Sequence, residues 1–324
     1  MEPPPPDPDD VPGWRRWIAP VAIGLGYGVL FRIGFALEMF EALFGVMTTA
    51  FVLVVPFAMG ALTVLQVESE PGWASAAFAP WAPTLLMLLA ALLLAWEGLI
   101  CVVVWLPAAL VAATVGGLVG KLVRRPGRPT APLAFAVAAL PIVVAPVENQ
   151  FPDPVQTRTV HDVIEIEADA AAVWREIREV PPIRPDELGG SLAYRLGFPR
   201  PIAAVLEGEG VGAVRRATFE GGVTFVERVT EWEEDEALAF TIDASAVPST
   251  TFDQHVAVGG RYFDVLRGRY EIEPVAPGRV VLHLTSEQRL STRFNAYTRL
   301  WTDRLMSDIQ STILEVVKAR AEAG

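Results

Sequence analysis

Four apolar runs, 17–38, 43–66, 82–123 and 131–147, hold almost no charge, and after Glu148 the pattern changes to short alternating strands, glycine turns and one long amphipathic helix. Runs this long and this apolar are stable as helices that satisfy their own backbone in hydrocarbon. Alternation at period two makes half-buried strands instead. The two halves therefore fold in different solvents. The expected layout is a disordered tail over 1–16, a transmembrane helical domain over 17–147, a linker over 148–156 and an α+β domain over 157–321.

The helical half reads as five spans. Trp14-Arg15-Arg16-Trp17 places cations and aromatics at an interface. Ile18 to Phe40 is long enough to cross, and Phe44 to Leu65 follows. Run 82–123 is twice the length of one crossing, and Pro107 is the expected break, giving spans over 82–104 and 107–123. The last span, 131–147, is short and carries Pro141 and Pro146. Basic residues cluster at Arg15/Arg16 and at Lys121/Arg124/Arg125/Arg128. With five crossings both clusters fall on one side, which the positive-inside rule makes cytoplasmic. The protein is then a multi-pass protein of the cell (inner or plasma) membrane with its C-terminal domain outside the cytoplasm.

Two charges interrupt the spans, Arg32 and Glu97. An ionised side chain in hydrocarbon is costly unless it meets a partner or water, so a pair is expected. Gly24-x-x-x-Gly28 and Gly116-x-x-x-Gly120 are ridges for close helix contact. Gly120-Lys121 is no phosphate loop, because Val115 and Leu122 stand where that motif needs glycine and a hydroxyl.

Charge and ligand chemistry exclude several functions. The formal net charge of the chain is -12. The portion 150–324 carries nineteen basic against twenty-eight acidic residues. That balance repels phosphate backbones, so no nucleic-acid partner is expected. Cys101 is the single cysteine, and His161, His255 and His283 are scattered without zinc-ligand spacing. No metal or cofactor is expected, and protein partners are left undefined. Arginine outnumbers lysine twenty-four to two, as in GC-rich bacterial genomes.

In the second half, Arg158 to Glu167 alternates as a strand. Asp169 is placed to cap a helix over 170–180 whose apolar face is Val173, Trp174 and Ile177. Strands follow over about 202–207, 211–219, 223–232, 237–244, 253–258, 261–273 and 279–290, separated by glycine and acidic turns. Ser291 or Thr292 caps a final helix to about Arg320, with a stripe of Phe294, Tyr297, Trp301, Leu305, Ile309, Ile313 and Val317. The opening "IEIEADAAAVWREI", the hairpin "GVGAVRRATFEGG…FVERVTEWEE", the segment "GGRYFDVLRGRYEIEP" and the final helix together resemble the START/birch-pollen-allergen (SRPBCC) superfamily, in particular its polyketide cyclase/dehydrase and lipid-transport family. The resemblance implies a helix-grip fold, a curved antiparallel sheet around a long C-terminal helix with an apolar cavity between them. It implies binding of lipids, sterols or polyketides, with catalysis in only some members. The membrane half lies outside that family pattern.

Register assigns side chains to the cavity. A three-residue loop at Glu220–Gly222 opposes Phe219 to Val223, Ala217 to Phe225, Arg215 to Glu227 and Ala213 to Val229, all favourable pairs. Arg215 and Glu227 then share an inward face with Phe219 and Phe225, a candidate polar anchor in an apolar wall. Around Gly259-Gly260 the same exercise opposes His255 to Asp264 and sends Tyr262, Asp264, Leu266 and Tyr270 inward. A carboxylate-oriented imidazole is a usable general base, so His255 and Asp264 are the candidate catalytic pair. Ser286, Tyr297 and Trp301 complete the candidate ligand site. Three functions follow as expectations: membrane-anchored binding of a hydrophobic ligand (lipid, isoprenoid or polyketide-like), a cyclase/aromatase-type enzyme using the His–Asp pair, or a non-catalytic tethered sensor or interaction module.

Overall fold

The computed structural model describes residues 13–37, 45–125, 129–244 and 258–324. The chain divides into two compact units, Met1–Glu97 with Val102–Pro152, and Asp153–Gly324 with the short stretch Gly98–Cys101.

The helices of the first unit are α1 (Ile18–Ala36), α2 (Val55–Leu65, entered through a π-helical turn over Ala50–Val54), α3 (Trp73–Phe78), α4 (Trp81–Leu93), α5 (Leu99–Val123) and α6 (Ala131–Glu148). Four helical stretches, Arg15–Ala36, Trp73–Leu93, Leu99–Val123 and Ala131–Glu148, are long and apolar enough to cross a membrane; Ala50–Leu65 is shorter. No more than 39% of the apolar window of any of the four is buried inside the protein. Leu30, Leu93, Val111 and Phe135 are each more than 60% exposed. An apolar surface turned outward on this scale has hydrocarbon as its natural cover, which suggests a membrane protein.

The expected break at Pro107 is corrected. Pro107 lies inside α5, and the chain breaks at Leu94–Gly98 instead. Trp96 N donates to Ala91 O at 2.8 Å and Ala95 N to Leu92 O at 3.1 Å. This is the Schellman pattern of helix termination, with Ala95 in the left-handed position at φ 52°. The position normally takes glycine, so alanine concealed the stop. Proline forfeits one helical hydrogen bond and does not oblige a chain to turn. Small residues draw α2 and α5 together: a Cβ on Gly60 would stand 2.0 Å from Ala113 O, and one on Gly116 1.9 Å from Phe57 O.

Among its described residues the second unit holds one antiparallel sheet and three α-helices. Its strands are β1 (Gln156–Ile166), β2 (Pro201–Glu207), β3 (Val214–Phe219), β4 (Thr224–Glu233), β5 (Ala237–Asp243), β6 (Phe263–Ala276) and β7 (Arg279–Leu290). Their order across the sheet is β1-β7-β6-β5-β4-β3-β2. The helices are α7 (Ala170–Arg178), α8 (Leu192–Arg195) and α9 (Asn295–Ala323). Helix α9 packs along β1 and β7 and against α7 and α8, a helix-grip arrangement. Val173, Trp174 and Ile177 of α7 join Ile166, Leu238, Leu282, Leu314 and Val317 in the main core. Asp169 stands at the N-cap of α7, but its side chain makes no capping bond; its backbone oxygen accepts from Ala172 and Val173. Helix α9 starts at Asn295 rather than after Ser291 or Thr292, because the Asn295 side chain turns back to accept from Thr292 N and Oγ1, both at 2.8 Å. The tail 1–12, the end of the first expected span and the start of the second, and most of the expected strand 253–258 lie outside the described residues.

Candidate functional site

The β3–β4 hairpin sets the geometry. Its turn places Gly221 at φ 73° and Gly222 at φ 79°, conformations open to glycine. Arg215 then pairs with Glu227 and Ala217 with Phe225, while Phe219 N donates to Val223 O and Val229 N to Ala213 O. The sequence register and the observed one coincide here.

This face closes one side of a cavity of about 180 Å³, partly open, between the sheet and α9. Three apolar clusters bound it. The main core forms its floor, Val180, Ala204, Ala217, Phe219 and Phe225 one flank, and Phe263, Val265, Leu290 and Met306 the other. Helix α9 contributes Met306, Ile309, Gln310 and Ile313. Gly268 faces the ring of Phe240, where a Cβ would come within 2.7 Å of Cε2, so the absent side chain gives that ring its place. Arg215 lies over the same ring, Cζ 5.1 Å from its centroid.

Polar groups in the wall are few. Arg215 is 4% and Glu227 6% exposed, and the Arg215 Nη1 donates to Glu227 Oε2. Burial opposes the charge on Arg215, but Glu227 and the Tyr270 hydroxyl more than offset it, so its pKa lies above the ordinary value. Burial pushes the Glu227 carboxyl up, with Arg215 pulling the other way. Tyr270 is likewise raised by burial. Two buried atoms on lining residues have no hydrogen-bond partner, Arg215 Nε and the Tyr194 hydroxyl. Burial, with Asp308 nearby, pushes the Tyr194 phenol up, so it stays a neutral donor. A second polar group joins Ser286 of β7 to Gln310 of α9. In the amide orientation that satisfies its neighbours, Gln310 accepts from Ser286 Oγ and donates to Leu284 O and to Asp162 Oδ2 at 2.7 Å. Ser307 Oγ donates to Asp162 Oδ1 at 2.6 Å.

Of the ligand-site residues expected from sequence, Arg215, Phe219, Phe225, Glu227, Tyr270 and Ser286 line this cavity. Tyr262 and Leu266 do not, and the reason is a β-bulge. The pairing of β6 with β7 shifts between Val265 and Arg267, leaving Leu266 unpaired. Phe263 and Val265 are buried before the bulge, and Gly268, Tyr270 and Ile272 after it. One extra residue exchanges the faces of the strand, so strict alternation carried back from Tyr270 selects the wrong side chains. The same slip removes Asp264 from the cavity wall. Asp264 stands opposite Arg289, and burial raises its carboxyl against that cation and the backbone N–H groups of Val265 and Gly259. His255 lies outside the described residues, so the expected His255–Asp264 pair is left without a described partner. Tyr297 and Trp301 are half-buried on the first turns of α9, ahead of the segment Met306–Ile313 that faces the cavity.

Phe240, Ile242, Phe263, Val265, Tyr194 and Gln310 enter the wall without having been anticipated. Phe240 and Ile242 had a signal, the alternation of Leu238, Phe240 and Ile242. Gln310 had none, since it sits one residue off the apolar stripe. Among the described residues no group of three or more His, Cys, Asp or Glu side chains is arranged to hold a metal ion.

In the helical unit, Arg32 Nε lies 2.8 Å from Glu97 Oε1 and Arg32 Nη2 donates to Trp96 O at 2.7 Å. Because the break falls at 94–98, Glu97 sits in the α4–α5 connection and not inside a span. The pair is set near the ends of α1 and α4 and the start of α5.

No protein-family model matches the sequence, and no curated protein matches it. Solved structures similar to the C-terminal half include a START superfamily protein from Mycobacterium smegmatis (13% identity, 51% of this chain and 97% of that one, TM-score 0.34). The Zhui aromatase/cyclase from Streptomyces sp. R1128 is similar at 18% identity over 52% and 94% of the two chains, with a TM-score of 0.33. Norcoclaurine synthase from Thalictrum flavum follows at 17% identity over 50% and 87%, with a TM-score of 0.31. No activity or ligand is carried across at this distance. By its own sheet order and gripping helix, the C-terminal half of this chain has a helix-grip fold.

Proposed function

We propose that the C-terminal unit binds a hydrophobic molecule of lipid, isoprenoid or polyketide-like character beside a membrane, and that the ligand carries a neutral oxygen such as a hydroxyl or carbonyl. The observation that carries this reading is the Arg215–Glu227 pair, buried in a largely apolar wall with Arg215 Nε unpartnered. A buried donor without an acceptor costs about 1–3 kcal/mol, which a ligand oxygen would recover. Glu227 already neutralises Arg215, so a carboxylate ligand would add a second negative charge in low dielectric. A neutral oxygen adds none. The void resembles in size an apolar cavity of ~150 Å³ that takes benzene, so one ring fits inside and a longer tail leaves through the opening. The described wall offers no nucleophile beside a base, which favours binding over catalysis.

The helical unit supports one sidedness. Arg16 bonds Ser69, Lys121 bonds Pro71 O, and Arg124 bonds Val64 O and Glu68 O, so both basic clusters meet at one end of the bundle. At the other end the carboxylate of Glu148, the last residue of α6, accepts from Thr49 N at 2.7 Å and Ala50 N at 3.0 Å. Acidic groups stabilise the positive end of a helix, so Glu148 fixes where the 50–65 helix begins. With the basic end cytoplasmic, α6 ends outside, and the C-terminal unit belongs to the extracytoplasmic face of the cell membrane. Native mass spectrometry of the full-length protein extracted from membranes should find a neutral hydrophobic molecule bound. A C-terminal alkaline phosphatase fusion should be active. An empty protein would remove the binding reading, and an inactive fusion would reverse the sidedness.

A further inference from the structure

Two of the three histidines in the chain, 122 residues apart in sequence, meet on the outer face of the sheet, away from the cavity. His161 of β1 and His283 of β7 project from the face opposite the core, as the alternation of burial along both strands requires. His161 Nε2 stands 3.2 Å from His283 Nδ1, with the rings within 8° of parallel. His283 Nε2 lies 3.1 Å from Glu273 Oε2 of β6. His283 is 24% exposed and Glu273 64%, so solvent reaches the group.

We propose that His161 and His283 form a binding site for a late first-row divalent metal ion such as zinc or nickel, with Glu273 as the orienting partner. The chemistry follows from which nitrogens face each other. The Glu273 carboxylate holds the proton of His283 on Nε2, leaving the Nδ1 lone pair directed at His161. Carboxylate–imidazole–metal chains use this arrangement, which fixes the tautomer and raises ligand basicity. Metal–nitrogen bonds of about 2.0–2.1 Å at a tetrahedral angle separate two ligand nitrogens by roughly 3.3 Å, close to the spacing the strands already impose. Without metal, His161 donates its Nε2 proton to His283 Nδ1. On binding, that proton moves to His161 Nδ1 through solvent and both facing lone pairs go to the ion, so no proton is lost overall. Water fills the remaining positions, consistent with an open site of modest affinity. Imidazole pairs take zinc, nickel and copper and are indifferent to calcium, which prefers oxygen. The net negative charge of the 150–324 portion, nineteen basic against twenty-eight acidic residues, draws cations toward the domain. An ion here cross-links β1 to β7, with β1 at one edge of the sheet that the described strands form. Its consequence is mechanical and independent of whatever occupies the cavity.

The test is calorimetric titration of the untagged full-length protein in detergent with Zn²⁺ and with Ni²⁺, in the presence of excess Ca²⁺, alongside thermal unfolding. The expected result is one saturable site per chain and a raised melting temperature. His161→Gln and His283→Gln should each abolish both effects, and Glu273→Gln should weaken affinity by about 10–100-fold. All three variants should melt close to the wild type in metal-free buffer, since His161 and Glu273 are exposed and solvent reaches half-buried His283. Absence of saturable binding would overturn the proposal. So would binding that survives both histidine substitutions or is displaced by Ca²⁺.

Discussion

Among the described residues each unit buries an arginine–glutamate pair, and the two pairs are used differently. Arg32 and Glu97 are 8% and 9% exposed, Arg215 and Glu227 4% and 6%. Arg32 turns its guanidinium to Glu97 and to the carbonyl of Trp96, a group freed where α4 ends. That pair fastens α1 to a helix break. Arg215 meets Glu227 across a hairpin, keeps Nε without an acceptor and stands at the edge of a void. The difference teaches that burial of an ion pair alone says little about function. Each guanidinium keeps an Nε without a hydrogen-bond partner, and what distinguishes the second pair is the empty space it lines.

Double-mutant cycles separate the two roles and should give the largest effects. Removing one partner of either pair strands a charge, at a cost of about 3–5 kcal/mol. Arg32→Leu, Glu97→Leu, Arg215→Met and Glu227→Leu should each lose stability on that scale in thermal or denaturant unfolding. Both double variants should regain most of it. Only the Arg215/Glu227 double variant should lose the bound hydrophobic molecule. Additive losses at Arg32 and Glu97 would break the comparison at its first term.

The helical unit depends on backbone approach where the sheet unit depends on side chains. Gly116→Ala puts a Cβ 1.9 Å from Phe57 O, a contact only helix displacement relieves. The expected loss is about 1–3 kcal/mol, read as faster unfolding in detergent. Ala95→Gly should act in the opposite direction, relieving left-handed strain by about 1 kcal/mol. If Ala95→Gly destabilises, the helix stop is not the Schellman turn described.

In the sheet unit Glu187 supplies a smaller, pH-dependent effect. A hydrogen bond from Arg320, which also binds Pro181 O and Pro182 O, lowers the Glu187 carboxyl from 4.5 to about 2. A depressed carboxylate stabilises the fold above its unfolded pKa and loses that contribution as pH falls toward the folded value. Stability should therefore decline between about pH 4.5 and pH 2, and Glu187→Gln should flatten that portion of the curve. An unchanged acid limb would assign the decline to other carboxylates.

Local rules made some of the molecule legible and left other parts dark. The β3–β4 register could be read because a glycine turn fixes loop length and only one loop length avoids opposing Arg215 to Arg228. The β6 faces could not, because nothing in Tyr262–Gly268 announces the bulge at Leu266, which is set in the pairing with β7. The α4–α5 stop was hidden by alanine in a glycine position, while Pro107 offered a false one. His161 and His283 looked scattered because a 122-residue separation closes only when β1 takes the sheet edge beside β7. Contacts set by tertiary pairing have no signature within a window of ten residues.

The central claim, that the grip cavity takes a neutral hydrophobic ligand at Arg215, is tested most directly by a matched competition. A cyclic terpene alcohol and the carboxylic acid of the same skeleton are titrated against the full-length protein and its Arg215→Met/Glu227→Leu variant. The alcohol should bind the wild type at least about tenfold more tightly, since a tenfold preference is about 1.4 kcal/mol, within the range of one recovered buried hydrogen bond. The preference should vanish in the double variant. A tighter carboxylate, or an alcohol preference that survives loss of the pair, would contradict it.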